Sequence, residues 1–164
     1  MKSRALNNYI IINIETTGID ISKDEIIGLY AIKVENKIIT DEFFELIKPK
    51  KRITKVVSEI THITNRMVSK CKKINDAIQG FVNFTNGYKI VGYNLPFDIA
   101  FINKYLQEKE KISTSQCIDV LKLVQKKYQN LSNYKLFTVA NYLNISTKIS
   151  ECEIMKLIYE NLCL

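Results

Sequence analysis

The chain has 164 residues, is 46% hydrophobic and 25% charged, and carries a formal net charge of +7. That length suits one domain with its own core, taken here as residues 1–164, and no apolar run approaches the ~20 residues that cross a bilayer. One histidine and four cysteines without a CxxC pair argue against a structural zinc site, which takes four clustered Cys or His ligands. The start, "MKSRALNNYIIINIETTG", runs from a short apolar stretch straight into Glu15, so it reads as a first strand and not an export signal. A reducing cytoplasm with free thiols is the implied setting. The basic balance suits a polyanionic partner, and equally a solvated lysine-rich surface.

Tyr9–Ile14 is a β-branched apolar run and predicts a strand. "EIIGLYAIKV" (Glu25–Val34) and "KIITDEFFELI" (Lys37–Ile47), separated by "ENK", predict two more, the three forming an antiparallel meander. Pro49 stops the third, and "KPKKR" (Lys48–Arg52) reads as a basic solvated loop. Short helical turns follow, with Ser58 and Thr64 as caps. Ile74, Ala77, Ile78, Phe81 and Val82 repeat at helical spacing and predict a helix over Ile74–Phe84, ended by Asn86–Gly87. "YKIVGYN" predicts a fourth strand. A helix then runs from Pro96, in its first turn, to about Lys109. Ile118–Tyr128 and Tyr134–Leu143 are further helical stretches, and Ser150 caps a last helix ending near Leu162. Strands first, then strands alternating with helices, make an α/β domain: a mixed sheet flanked by helices.

Three places carry chemistry. Side chains alternate along a strand, so Asn13 and Glu15 share a face while Ile12 and Ile14 take the other. At the C-terminal end of a strand they project where open sheets bind ligands. "TTG" then supplies hydroxyls, backbone amides and a turn. In "NLPFDIAF", Asp98 lies in the first turn of a helix, where the dipole favours an acid; Phe97, Ile102 and Leu106 face the core and Asp98 faces outward. Glu151 opens the last helix.

In this order, "INIETTG", "NLPFDIAF" and an acid opening the final helix resemble the DEDD exonuclease superfamily. The resemblance extends over nearly the whole chain and is nearest the DnaQ-like group with a histidine in its third motif, which includes the proofreading epsilon subunit of bacterial DNA polymerase III. It implies an RNase H-like exonuclease fold. It also implies two divalent cations, Mg²⁺ or Mn²⁺, held by four carboxylates, with a histidine as general base for hydrolysis at nucleic-acid 3′ ends. Carried over residue by residue, the catalytic and metal positions are Asn13, Glu15, Asp98 and Glu151, with Ser146 at the histidine. Thr16, Thr17, Gly18, Asn94 and Phe97 fall at nucleic-acid-binding positions, although Phe97 also reads as core.

The pattern is therefore degenerate. Asn13 stands where the family has Asp, Ser146 where it has His, and Glu151 where it has the shorter Asp. Gly28 and Tyr30 replace a Glu and a Gly in the second strand. The implied partners are single-stranded DNA or RNA 3′ ends and a polymerase or other replication or repair protein, with no membrane. Hydrolysis is expected to be weakened or lost. The alternative is a catalytically inactive module of the same fold that binds nucleic acid or a polymerase.

Overall fold

The computed structural model of the chain describes residues 6–163. Strands β1 (Asn8–Thr16), β2 (Ile26–Glu35) and β3 (Ile38–Leu46) form the antiparallel meander. Helices α1 (Lys55–Thr61), α2 (Asn65–Val68) and α3 (Ile74–Thr85) lead to β4 (Ile90–Gly92) and α4 (Leu95–Asn103). Then come β5 (Cys117–Asp119), α5 (Val120–Lys127), α6 (Leu136–Tyr142) and α7 (Glu151–Leu162). The sheet order is β3-β2-β1-β4-β5, with β4 and β5 parallel to β1.

The alternation in β1 builds two apolar layers. Ile10, Ile12 and Ile14 pack against Phe81 of α3 and Leu95, Ile99 and Ile102 of α4. Tyr9 and Ile11 pack on the other face against Val124 of α5, Val139 of α6 and Ile154 and Ile158 of α7. Each fully buried isoleucine contributes about 1.5–3 kcal/mol, so β1 is anchored from both sides. Asn13 continues the parity of Ile11 and sits at the α7 side.

Some elements differ from the sequence expectations. The helix opened by Leu95 stops at Asn103 and does not reach Lys109. The Asn103 side chain pairs with the backbone of Ile112, accepting from its N–H at 2.8 Å and donating to its carbonyl at 3.1 Å, which turns the chain away. A fifth strand, Cys117–Asp119, precedes α5 and takes up the start of the stretch Ile118–Tyr128 expected to be helical. It pairs in register with Ile90–Gly92, and three residues are too few to show a period of two. Thr54, not Ser58, caps α1: Val57 N–H donates to Thr54 Oγ1 at 3.3 Å, and Ser58 lies within the helix. Thr64 caps α2 as expected. Asp98 is buried, not outward-facing.

The β1–β2 register places Tyr30 beside Asn13 and Gly28 beside Glu15. Tyr30 folds its ring over Gly28: a Cβ on Gly28 would lie 2.6 Å from Tyr30 Cε2 and 2.9 Å from its hydroxyl. Gly28→Ala is expected to cost about 1–3 kcal/mol in denaturant unfolding through overpacking. In a Tyr30→Ala background the cost should fall to about 0.5 kcal/mol or less. Equal costs in both backgrounds would contradict this packing.

Candidate active site

The site is assembled at the C-terminal end of β1. Asn13 and Glu15 project from one face and are half-buried. β4 ends at Gly92, in line with the middle of β1, so the chain leaves the sheet early and α4 starts alongside the second half of that strand. Asn94 takes a left-handed conformation, φ 59°, to make this corner. Its N–H donates to Asp119 Oδ1 at 3.0 Å, and the same oxygen accepts from Leu121 N–H at 3.1 Å to cap α5. Asp119 thus ties β5, α5 and the start of α4 together. One turn on, Asp98 is carried inward.

Glu151 is placed by a capping box. Ser150 Oγ accepts from Glu153 N–H at 3.2 Å, and Glu153 Oε2 accepts from Ser150 N–H at 2.9 Å. This sets the first turn of α7 and turns Glu151 back to β1. The Asn13 amide donates to Glu151 Oε2 at 3.2 Å. Asn13 therefore spends its donor on a carboxylate that an aspartate in its place would repel.

Burial raises all three acids, and neighbouring negative charge adds to the rise at Glu15 and Asp98. Glu15 is pushed up to about 7, by burial first and then by the negative charge of Glu151, with the Asn13 amide offsetting part of the rise. Asp98 is held well above the ordinary carboxylate range by burial, then by Glu15, Asp119 and Glu151. Glu151 is raised by burial and eased by the Asn13 amide. Asp98 is only 5% exposed, and its Oδ2 has no hydrogen-bond partner. Tyr30, raised to about 12 by burial and then by Glu15, remains a neutral donor at the rim.

A cavity of about 420 Å³ opens from Asn13, Glu15 and Glu151 towards Tyr30, Phe44 and Cys152. Three coupled carboxylates with an orphaned oxygen are, in kind, the all-oxygen donor set a hard divalent cation takes. Among the described residues, however, no three His, Cys, Asp or Glu close into a group that could hold a metal ion. The oxygen donors fit a hard cation in kind, and the Asn13 amide is bonded to one of them.

The other expected positions are less uniform. The Thr16 hydroxyl donates to Gly18 O at 2.6 Å, and the Thr17 hydroxyl donates to Asp24 Oδ1 at 3.0 Å while accepting from Glu25 N–H at 3.0 Å. Both hydroxyls brace their own turn. Gly18 leaves room there for the Asp24 carboxylate, which a Cβ would crowd. Asn94 is exposed, and Phe97 is half-buried against Phe101 with ring centroids 4.8 Å apart. Ser146 is exposed in the loop before α7, where its Oγ accepts from Lys148 N–H at 3.3 Å, and it does not line the cavity. His62 is exposed and ends α1 with φ 58°. The role of Asp119 is absent from the sequence reading; an Asp directly before an apolar helical run was its one signal.

The raised acids set a sign for pH dependence. In chelator-treated buffer all three are protonated in both states at low pH. As pH rises, the unfolded chain releases these protons at ordinary values and the folded chain only higher up, so their contribution to stability falls, for Glu15 from about 4.5 to about 7. Asp98→Asn removes one buried acid and should raise stability by about 1–3 kcal/mol near neutral pH. Its advantage over the wild type should widen as pH rises above 4, read by thermal unfolding at several pH values. A constant or shrinking advantage would contradict the placement of Asp98.

Comparison with known proteins shows the family and the fold. Residues 10–148 match the RNase T family, described as exonuclease. The chain is 33% identical over 140 residues to the DNA polymerase III subunit epsilon of Aquifex aeolicus, covering 85% of this chain and 69% of that protein. It is 32% identical over 137 residues to the PolC-type DNA polymerase III of Caldanaerobacter subterraneus, covering 84% of this chain but only 10% of the polymerase. Among solved structures, exonuclease X in complex with 5′ overhanging duplex DNA superimposes with a TM-score of 0.74 at 19% identity, over 94% of this chain and 90% of that one. A 3′-exonuclease solved in specific recognition of the histone mRNA stem-loop gives 0.77 at 14%, over 99% of this chain and 65% of that one. The fold is thus the RNase H-like exonuclease fold, and the chain belongs to the RNase T exonuclease family, in its DnaQ-like group.

Proposed function

We propose that the chain engages the 3′ end of a single nucleic-acid strand at the Glu15–Asp98–Glu151 cleft and hydrolyses it far more slowly than its relatives' site design allows. The observation that carries this is the Asn13 amide bonded to Glu151. The family is generally dependent on divalent metal, and in this chain Glu15, Asp98 and Glu151 would hold the ion, Mg²⁺ or Mn²⁺. Such an ion would supply an activated water and a charge partner for the leaving oxygen. The chain's own residues position the scissile phosphate at the end of β1, with the Thr16–Gly18 turn beneath and Asn94 and Phe97 at the edge. Asn13 adds no charge, and its donor holds Glu151 in place. Exposed Ser146 supplies no base, which also favours the second reading, a module that binds ends without cutting them. Its relatives include polymerase subunits, and a polymerase is the proposed companion. Four unpaired cysteines suit a reducing cytoplasm.

Degradation of a 3′-labelled single-stranded oligonucleotide with Mg²⁺ or Mn²⁺ tests this. Asn13→Asp should raise the rate by about 100-fold, the scale of one restored catalytic group, and Asp98→Ala in that background should abolish it. A wild type already as fast as Asn13→Asp would overturn the proposal, and activity in neither would leave the binding-only reading. In parallel, saturating Mn²⁺ should raise the melting temperature of Asn13→Asp more than that of the wild type, because only the ion-binding state is stabilised. Equal shifts would contradict a defective ligand at position 13.

A further inference from the structure

Segments 48–55 and 66–73 contain nine of the chain's 24 lysines and arginines and no acidic residue. In the sequence they stand apart, and the first reads as a solvated loop. The fold joins them. Lys48 N–H donates to Lys72 O at 2.9 Å. The Asn65 side chain brackets Ile53, its Oδ1 accepting from the Ile53 N–H at 2.9 Å and its Nδ2 donating to the Ile53 carbonyl at 2.8 Å. Between them lies a depression of about 260 Å³ floored by Asn65, Val68 and Ser69. Lys50, Lys51, Arg52, Arg66, Lys70 and Lys73 are all exposed, and none makes an ion pair among the described residues. Cations of one sign gathered on one face raise the local potential and attract a polyanion.

Its position relative to the carboxylates is fixed by backbone bonds. Leu46, at the end of β3, lies opposite Gly28, which lies opposite Glu15, so the basic loop leaves the sheet about 10 Å, two strand spacings, from the cleft. Glu25 makes the connection firm. Its Oε2 accepts from Lys50 N–H at 2.8 Å and Lys51 N–H at 3.4 Å, so the carboxylate holds the loop's backbone. The backbone of the same residue pairs with Thr17 in the turn that follows Glu15.

We infer that this patch is a second nucleic-acid contact, a track for the phosphates of the same strand a few nucleotides upstream of the end held in the cleft. The inference rests on the cleft reading above. Backbone phosphates carry no sequence information, so this contact sets affinity and salt dependence and leaves base preference alone.

The test measures binding of phosphorothioate-linked dT16 and dT2 with Mg²⁺ over a series of salt concentrations. The proteins are the wild type, the triple variant Lys50→Gln, Lys51→Gln, Arg52→Gln, and a control Lys126→Gln, Lys148→Gln. All substituted residues are exposed, and thermal unfolding checks the fold. The triple variant should bind dT16 about 10-fold more weakly and dT2, too short to reach the patch, as well as the wild type does. Its log–log salt slope for dT16 should shrink by about 2, because each phosphate of a single strand that is no longer neutralised lowers the slope by about 0.7. The control should match the wild type. Triple-variant binding equal to wild type on dT16, or an equal weakening on both lengths, overturns the patch while dT2 binding preserves the cleft. Binding of neither oligonucleotide by the wild type overturns both. Tighter binding of polyglutamate than of dT16, abolished in the triple variant, overturns the patch in favour of an acidic protein partner.

Discussion

Three carboxylates held together at the end of one strand are the constraint on which the site depends. Glu151 raises the cost of ionising Glu15, both raise that of Asp98, and Asp98 has an oxygen that no group among the described residues satisfies. Buried like charges of this kind persist where a ligand answers them. Asn13 is the chain's partial answer from within. Its amide supplies one hydrogen bond where the family pattern has a fourth negative charge, and the cluster is less repulsive by that much. In the proposed reading the same amide also makes the site a weaker cation holder.

The scaffold explains why these groups cannot move apart. β1 is packed on both faces, so Asn13 and Glu15 are fixed by strand parity. α4 is aimed by the corner at Asn94, and that corner is clamped by Asp119. α7 is aimed by its Ser150–Glu153 capping box. Each acid comes from a different element: β1 is held by apolar packing, and α4 and α7 each by a polar contact just before the acid. Tyr30 closes the remaining side by lying over Gly28, an exchange of size between two positions on one strand face.

Much of this was legible in the sequence, for identifiable reasons. The β1 run is long and β-branched, so its strand and the pairing of Asn13 with Glu15 follow from a period of two. Ser150 before an acidic first turn marks the last helix. The meander shows as two apolar runs around "ENK". What was hidden depended on long-range contacts. The burial of Asp98 comes from where β4 ends, and the early stop of α4 from an Asn103 side chain that bonds nine residues ahead. β5 is only three residues long and takes its strand character from pairing with β4. The likeness to the exonuclease family carried Asn13, Glu15, Asp98 and Glu151 to one place, where the structure does bring them together. It carried Ser146 to the loop before α7, and the structure leaves that side chain facing solvent.

The most direct measurement is the carboxyl titration of Glu15 by carbon-detected NMR, in chelator and again with Mg²⁺. Glu15 should titrate near 7 without metal, because burial and Glu151 disfavour its charge. Its midpoint should fall when the cation is added, and fall further in Asn13→Asp. A Glu15 that titrates near 4.5 in chelator and ignores the cation would contradict a coupled acidic site at the end of β1.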